Sequence, residues 1–412
     1  ANSSNLSLGF TLPNPSANTL KDGLAYITLA GTDLKADVTG MSVINASLDN
    51  FNIAAQVSNV LDSTVMMAAV ADFAMGAIDF TMDDRDFHTR NASGDAQMLP
   101  SANPGNVSYA AIYSSDSLVF AMGDALNFNT CALALNMSAE YDETAKDLFL
   151  QWNPKLDLTL DKAALEMAEL SEPVLIPSIA MKYDEAGLNI NDSRFVLGNS
   201  DFSLEGNLTN LYEHVNNKAL LLGNFNFTSD YTDVNQLMDL FSGMGADSTM
   251  VAENKVADTT AKEAEPFMVP YGVDFRLHTM INSALAGEME IHNVGGDLTI
   301  KDGILVLEEM GFTSDAAEMQ LTAIYKSKRR NHLYAGFDFH LLNIDISEMI
   351  HIIPDLDTIV PMLKSFDGKA EFHFAAETNL TAEYTPKYST LKAACTIEGQ
   401  DLVVLDTETF DM

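Results

Sequence analysis

The sequence predicts a mostly β protein: an extended, curved antiparallel sheet of groove-like form, built from a repeated strands-plus-helix unit with a few short amphipathic helices. Three observations predict it. Apolar and polar residues alternate with period two over much of the chain. Turn-forming pairs such as Asp22-Gly23 and Asp302-Gly303 separate the alternating runs. The runs also recur at a nearly constant offset.

The elements follow in chain order. In Ala77–Asp83, Ile78, Phe80 and Met82 fall on one face and Asp79, Thr81 and Asp83 on the other, because successive strand side chains point to opposite sides. Leu156-Asp-Leu-Thr-Leu160 repeats the pattern, as do Leu188-Asn-Ile190, Phe225-Asn-Phe227, Leu298-Thr-Ile300, Phe337-Asp-Phe339 and Phe372-His-Phe374. One dry and one wet side per strand is the mark of antiparallel sheet, since doubly covered parallel strands read as continuous apolar runs. Leu188–Leu197 aligns with Leu298–Leu307, and Phe225-Asn-Phe227 followed by Asp233 aligns with Phe337-Asp-Phe339 followed by Asp345; the offset moves from 110 to 112 residues. Asp233 with Gln236, and Asp345 with Glu348, are helix-capping pairs of the capping-box type. Ile346, Met349, Ile350 and Ile353 then form an amphipathic stripe that Pro354 interrupts. Residues 242–266 lack aromatics and are rich in Ala, Thr, Asp and Glu, as a flexible acidic linker would be. The expected organisation is an N-terminal β-groove section over 1–241, the linker over 242–266, and a second β-groove section over 267–412.

Composition narrows function. The chain has 412 residues, 47% hydrophobic, with 59 acidic against 22 basic residues and a formal charge of -37. That balance excludes a general nucleic-acid binder, which needs a basic footprint. Chemistry is scarce. The eight histidines form no HxxxH or HExxH motif and no GxSxG elbow occurs. Asp83, Asp84, Asp86 and His88 have metal-binding residue types but sit at a strand exit, where a solvated turn is expected. Asp230, Asp233 and Asn235 resemble the opening of a calcium loop without its glycine or distal glutamate. No residue is assigned a catalytic or metal-ligating role, no cofactor is expected, and the protein reads as a non-enzyme. Cys131 and Cys395 read as small buried apolar residues, with a disulfide as the alternative. The one basic cluster, Lys326, Lys328, Arg329 and Arg330, reads as a hairpin tip, or as a contact for anionic head groups or an acidic partner.

A sheet with one apolar face must cover it with a second sheet, with helices, or with something that is not protein. Twenty-one methionines against one tryptophan, Trp152, supply a soft lining suited to heterogeneous chains. An uncovered trough would exceed the few hundred Å² of apolar patch that soluble monomers tolerate. The candidate lipid-binding groove is lined by Ile78, Phe80, Met82, Leu188, Ile190, Phe225, Phe227, Leu298, Ile300, Phe337 and Phe339; the alternative for each is an ordinary sandwich core.

Phe225-Asn-Phe227…Asp233-Val-Asn-Gln-Leu-Met238 and Val269-Pro-Tyr-Gly-Val-Asp-Phe275 resemble segments of the AsmA-like proteins in their Bacteroidetes form. So do Asn293-Val-Gly-Gly-Asp-Leu-Thr-Ile-Lys-Asp-Gly303 and Gly399-Gln-Asp-Leu-Val-Val-Leu-Asp-Thr-Glu-Thr-Phe410. The resemblance implies a periplasmic β region held in the inner membrane by one N-terminal helix preceding Ala1. It also implies kinship with repeating β-groove proteins that transfer phospholipid between the inner and outer membranes and support outer-membrane assembly. The expected partners are phospholipid or another acyl-chain lipid, membranes through the anchor, and envelope proteins, with no nucleic acid. A scaffold of closed sandwiches and a carbohydrate-active β domain are the competing readings.

Overall fold

The computed structural model describes residues 2–11, 24–39, 43–58, 66–168, 170–237, 266–315, 317–346, 366–382 and 384–404. They are overwhelmingly β and form curved sheet, joined by antiparallel ladders with one parallel pairing. The chain divides into two compact units, Ala1–Gly198 and Asn199–Met412. This boundary differs from the expected linker at 242–266, which lies, apart from Pro266, outside the described residues.

The first unit contains β1 (Asn2–Ser4), β2 (Ser7–Thr11), β3 (Leu24–Thr39), β4 (Val43–Ser58), β5 (Ala68–Met82), β6 (Arg85–Pro100) and β7 (Val107–Ser115). It continues with β8 (Ser117–Met122), β9 (Leu126–Thr130), β10 (Ala132–Tyr141), the short helix α1 (Leu148–Trp152), β11 (Pro154–Met167), β12 (Val174–Asp184) and β13 (Gly187–Leu197). Strands of 14 to 16 residues such as β3 to β6 and β11 far exceed the usual five or six. They stay aligned because a row of irregular positions crosses them. Asn5, Asn50, Asn91, Lys162 and Asp192 adopt left-handed φ values of 60°, 48°, 50°, 52° and 47°. Asn and Asp tolerate that conformation better than branched residues do. Thr32 and Gly76 stand opposite Asn50, and Gly76 opposite Asn91, so neighbouring strands break their pleat together. At such a matched kink the register between strands is kept while the alternation along each strand shifts by one residue. Apolar positions in β5 are therefore odd before Gly76 (Phe73, Met75) and even after it (Ile78, Phe80, Met82).

The second unit contains β14 (Ser200–Thr209), α2 (Leu211–Val215), β15 (Leu221–Asp233), β16 (Val273–Ala286), β17 (Met289–Lys301), β18 (Ile304–Thr313), β19 (Glu318–Arg329), β20 (His332–Asp345), β21 (Phe366–Leu380) and β22 (Lys392–Val404). Consecutive strands pair antiparallel, except that β15 and β16 run parallel with Leu221 beside Val273 and Asp233 beside Leu285. The described strands on either side of the expected linker thus belong to one unit.

The aligned segments of the repeat divide into a match and a mismatch. β15 and β20 both end in an aspartate that leads into helical turn. The Asp233 carboxylate accepts the Gln236 amide at 2.9 Å, as an N-cap should, but the Gln236 side chain accepts from the Asn199 amide instead of closing a capping box. Asp345 also starts helical turn at Ile346, while Glu348, Met349, Ile350 and Ile353 lie outside the described residues. By contrast, Leu188–Leu197 is one strand, whereas Leu298–Leu307 spans a hairpin. Asp192 and Asp302 share nearly equal φ values, 47° and 46°, but Gly303 follows with φ 78° where Ser193 stands after Asp192. Two consecutive positive φ angles make a tight hairpin turn, and a glycine supplies the second without strain. One left-handed residue followed by serine makes only a bulge.

Candidate functional site: an apolar sheet face in each unit

Directly opposed residues in a ladder share a face, so the registers trace each surface. In the first unit Phe80 opposes Phe87, Phe87 opposes Phe120, Phe120 opposes Phe128, Phe128 opposes Leu165 and Leu165 opposes Val174. A second row on the other side of the bulges runs Phe73, Gly94, Tyr113, Leu135, Leu158, Met181 and Ile190. Both rows lie on one face. The Thr89 hydroxyl from one side reaches the Tyr113 hydroxyl from the other at 2.8 Å, and Leu160 packs with Ala163 across Lys162. Gly94 is required here, because a Cβ would sit 1.9 Å from the Ile112 carbonyl oxygen.

In the second unit the corresponding row runs Phe225, Leu277, Leu298, Leu307, Ala323, Phe337, Ala376 and Ala393. Beside it lie Phe275, Ile300, Leu305 and Tyr325, and toward the other end Leu321, Phe339, Phe374 and Cys395. Seven ladder steps of about 4.8 Å carry this face roughly 34 Å across the strands. Ring pairs Phe202–Phe227 at 5.5 Å and Phe337–Phe374 at 5.5 Å line it.

Each expected lining residue falls on these faces: Ile78, Phe80, Met82, Leu188 and Ile190 in the first unit, and Phe225, Phe227, Leu298, Ile300, Phe337 and Phe339 in the second. None is buried. All are half-exposed except Phe337, which is 41% exposed. Sequence reading missed Phe51 and Phe73, whose positions are out of phase with Ile78 because of the row of kinks through Asn50 and Gly76. Phe51 is 2% exposed, under the cover of Gly31 and its neighbours.

Aromatic clusters occupy one end of each face. In the first unit α1 is started by the Asp147 carboxylate, which accepts the Phe149 amide at 2.9 Å, and ended by left-handed Asn153. It sets Trp152 against Tyr109 and Tyr141, and Phe149 against Tyr183. In the second unit Phe267 and Tyr384 flank Tyr325, whose hydroxyl donates to the Phe267 carbonyl at 2.8 Å, while the Tyr384 hydroxyl accepts the Phe267 amide. Burial beside Tyr384 raises the Tyr325 hydroxyl above its ordinary pKa.

The opposite faces are polar. Asp79 contacts His88 at 2.8 Å and Arg90 at 2.7 Å; burial pushes its pKa up, but the bonds to His88 and Arg90 together outweigh this and hold it below the usual range. Glu377 accepts from Lys392 and Tyr334, each at 2.7 Å, which lowers its pKa and raises theirs. The strand-exit acids Asp83 and Asp84 form the β5–β6 turn, with Asp83 at φ 55°. Asp230 accepts from Asn282, and Asn235 exchanges two hydrogen bonds with Gly287, so these side chains serve local structure. Lys326 lies over the Tyr334 ring at 5.1 Å on the polar face, while Lys328, Arg329 and Arg330 are exposed at the β19–β20 hairpin. Cys131 and Cys395 are free and exposed, not buried. Cys131 falls between β9 and β10 where the ladder breaks, and Cys395 sits on an exposed stretch of β22. One cluster went unread in the sequence: Asp338, His340 and His373 converge between β20 and β21.

Among the described residues no helix is long and apolar enough to cross a membrane. The chain matches no protein-family model, no curated protein and no solved structure.

Proposed function

We propose that the protein is a non-enzymatic β-groove protein of the bacterial periplasm. It binds phospholipid acyl chains on its apolar faces and transfers them between the inner and outer membranes, in support of outer-membrane assembly. The observation that carries this reading is the continuity of half-exposed apolar residues along each face, from Phe73 to Ile190 and from Phe225 to Ala393, with no described element packed over their length. Buried methylenes contribute about 0.8 kcal/mol each, so a 16-carbon chain would supply on the order of 10 kcal/mol before association costs. The resemblance to AsmA-like proteins supplies the compartment, the inner-membrane anchor and the direction of the comparison. Aromatic clusters at the face ends would meet the chemically mixed region where acyl chain gives way to head group. In this reading the exposed hairpin residues Lys328 and Arg329 would meet anionic groups.

The second reading is an envelope scaffold built of closed sandwiches, and the enclosed Leu160–Ala163–Ile176 cluster favours it locally. Native mass spectrometry of the full chain purified from an envelope extract separates the two. Lipid adducts on the wild type that fall several-fold in Phe227→Glu and Phe339→Glu, with both variants still folded and melting cooperatively, support the groove. A lipid-free wild type that binds protein partners overturns it.

A further inference from the structure

Asp338 and His340 stand two residues apart on β20, so their side chains leave the same face. His373 of β21 is directly opposite His340 in the antiparallel register. The face is the polar one, since Phe337 and Phe339 point to the other side. Three potential ligands are thus brought together by strand pairing alone, 33 residues apart in sequence.

Their geometry is closer than general surface crowding. Both Nε2 atoms, of His340 and of His373, lie 3.0 Å from the same Asp338 Oδ1 atom. The two imidazole rings stack with centroids 3.8 Å apart and an interplanar angle of 24°. The three donor atoms all lie within 4.8 Å of one another. A zinc-class ion about 2.1 Å from each donor would see a 3.0 Å pair at roughly 90°, and opening the pair to about 3.4 Å would give the tetrahedral angle. Both imidazoles meet a single carboxylate oxygen, and an ion held among the three donor atoms would take one lone pair from each.

The surroundings favour a cation. Glu371 and Glu398 oppose each other directly on β21 and β22, next to the histidines, and line a depression of about 200 Å³ with them. Glu309 and Glu318 line the depression on the other side of His340 and Asp338. Among the described residues no lysine or arginine lines either depression. The ligands are reachable: His340 and His373 are 38% and 39% exposed.

We propose that Asp338, His340 and His373 form a binding site for a divalent first-row transition metal of the zinc class. Two imidazole nitrogens and one carboxylate oxygen match the donor preference of Zn²⁺ and Co²⁺ better than that of Ca²⁺ or Mg²⁺, which select oxygen. The site lies on the face opposite the apolar one and does not depend on lipid binding.

The test titrates the full chain with Zn²⁺ alone by calorimetry and with Co²⁺ alone by visible absorption. The expected result is one ion per chain, with Co²⁺ bands characteristic of nitrogen ligation. His340→Gln and His373→Gln should each weaken binding at least about 10-fold, with unchanged melting curves because both side chains are partly exposed. His278→Gln, which removes a single histidine paired with Asp297, should leave the affinity unchanged. A Zn²⁺ stoichiometry near zero, or equal affinity in wild type and in the His340→Gln/His373→Gln double variant, overturns the proposal and leaves a hydrogen-bonded histidine pair.

Discussion

The two units present the same kind of surface and hold it differently. In the first, β11 and β12 draw Leu160, Ala163 and Ile176 into an enclosed cluster against Phe128, Leu133, Val174, Ile179 and Phe195. The rest of its face combines the Phe80–Phe87–Phe120–Phe128 row with a small stretch in which Ala71, Ala96 and Ala111 stand in register. In the second, the face is rich in phenylalanine, and among the described residues no comparable enclosed cluster forms around Phe337 or Phe339. Period-two alternation is equally clear in both. The difference teaches that alternation specifies which side is dry and leaves open what dries it: neighbouring side chains in one place, and in the other a surface still half in contact with water.

The largest effect that would break this comparison is a charge in the enclosed cluster. Ile176→Asp should cost more than about 4 kcal/mol, because the carboxylate loses water without gaining a partner. Phe337→Asp should cost about 1 kcal/mol, since that ring is already partly solvated. Denaturant melts of both variants check the contrast, and equal losses would mean the second face is a closed core. A smaller effect concerns the row of kinks through Asn50. Asn50→Val should cost about 1–2 kcal/mol because a branched residue resists the left-handed conformation, while Asn50→Gly should be close to neutral; melting curves again decide. The smallest effect is electrostatic. The Asp79 pKa is lowered in the folded state, so its contribution is present above the unfolded value near 3.8 and is lost as pH falls through the folded value. Asp79→Asn should therefore lower stability at neutral pH and flatten the loss below pH 3.8, measured as Tm against pH.

Much of this was legible in the residues. The runs at Ile78, Leu188, Phe225, Leu298 and Phe337 gave strands of the right kind, and within each unit the named residues share one face. Phe51 and Phe73 were not legible, because a left-handed asparagine mid-strand reverses the parity and looks in sequence like a lapse of pattern. Asp192 and Asp302 looked equivalent, and only the glycine after the second turns the chain back. The short helix carrying Trp152 is five residues long, too brief to show a 3.6-residue period. The Asp338, His340 and His373 cluster depends on register between two strands, which no local spacing encodes.

The row through Asn5, Thr32, Asn50, Gly76 and Asn91 has a consequence for how such a molecule can change length. Each kink answers one in the adjoining strand, so the crease belongs to the fabric and not to any thread of it. Dropping Asn50 alone would turn Phe51, Ile53 and Ala55 toward the wet side while their partners stayed put. Trimming or lengthening must then proceed by whole hairpins, which preserves the fold line and adds or removes width.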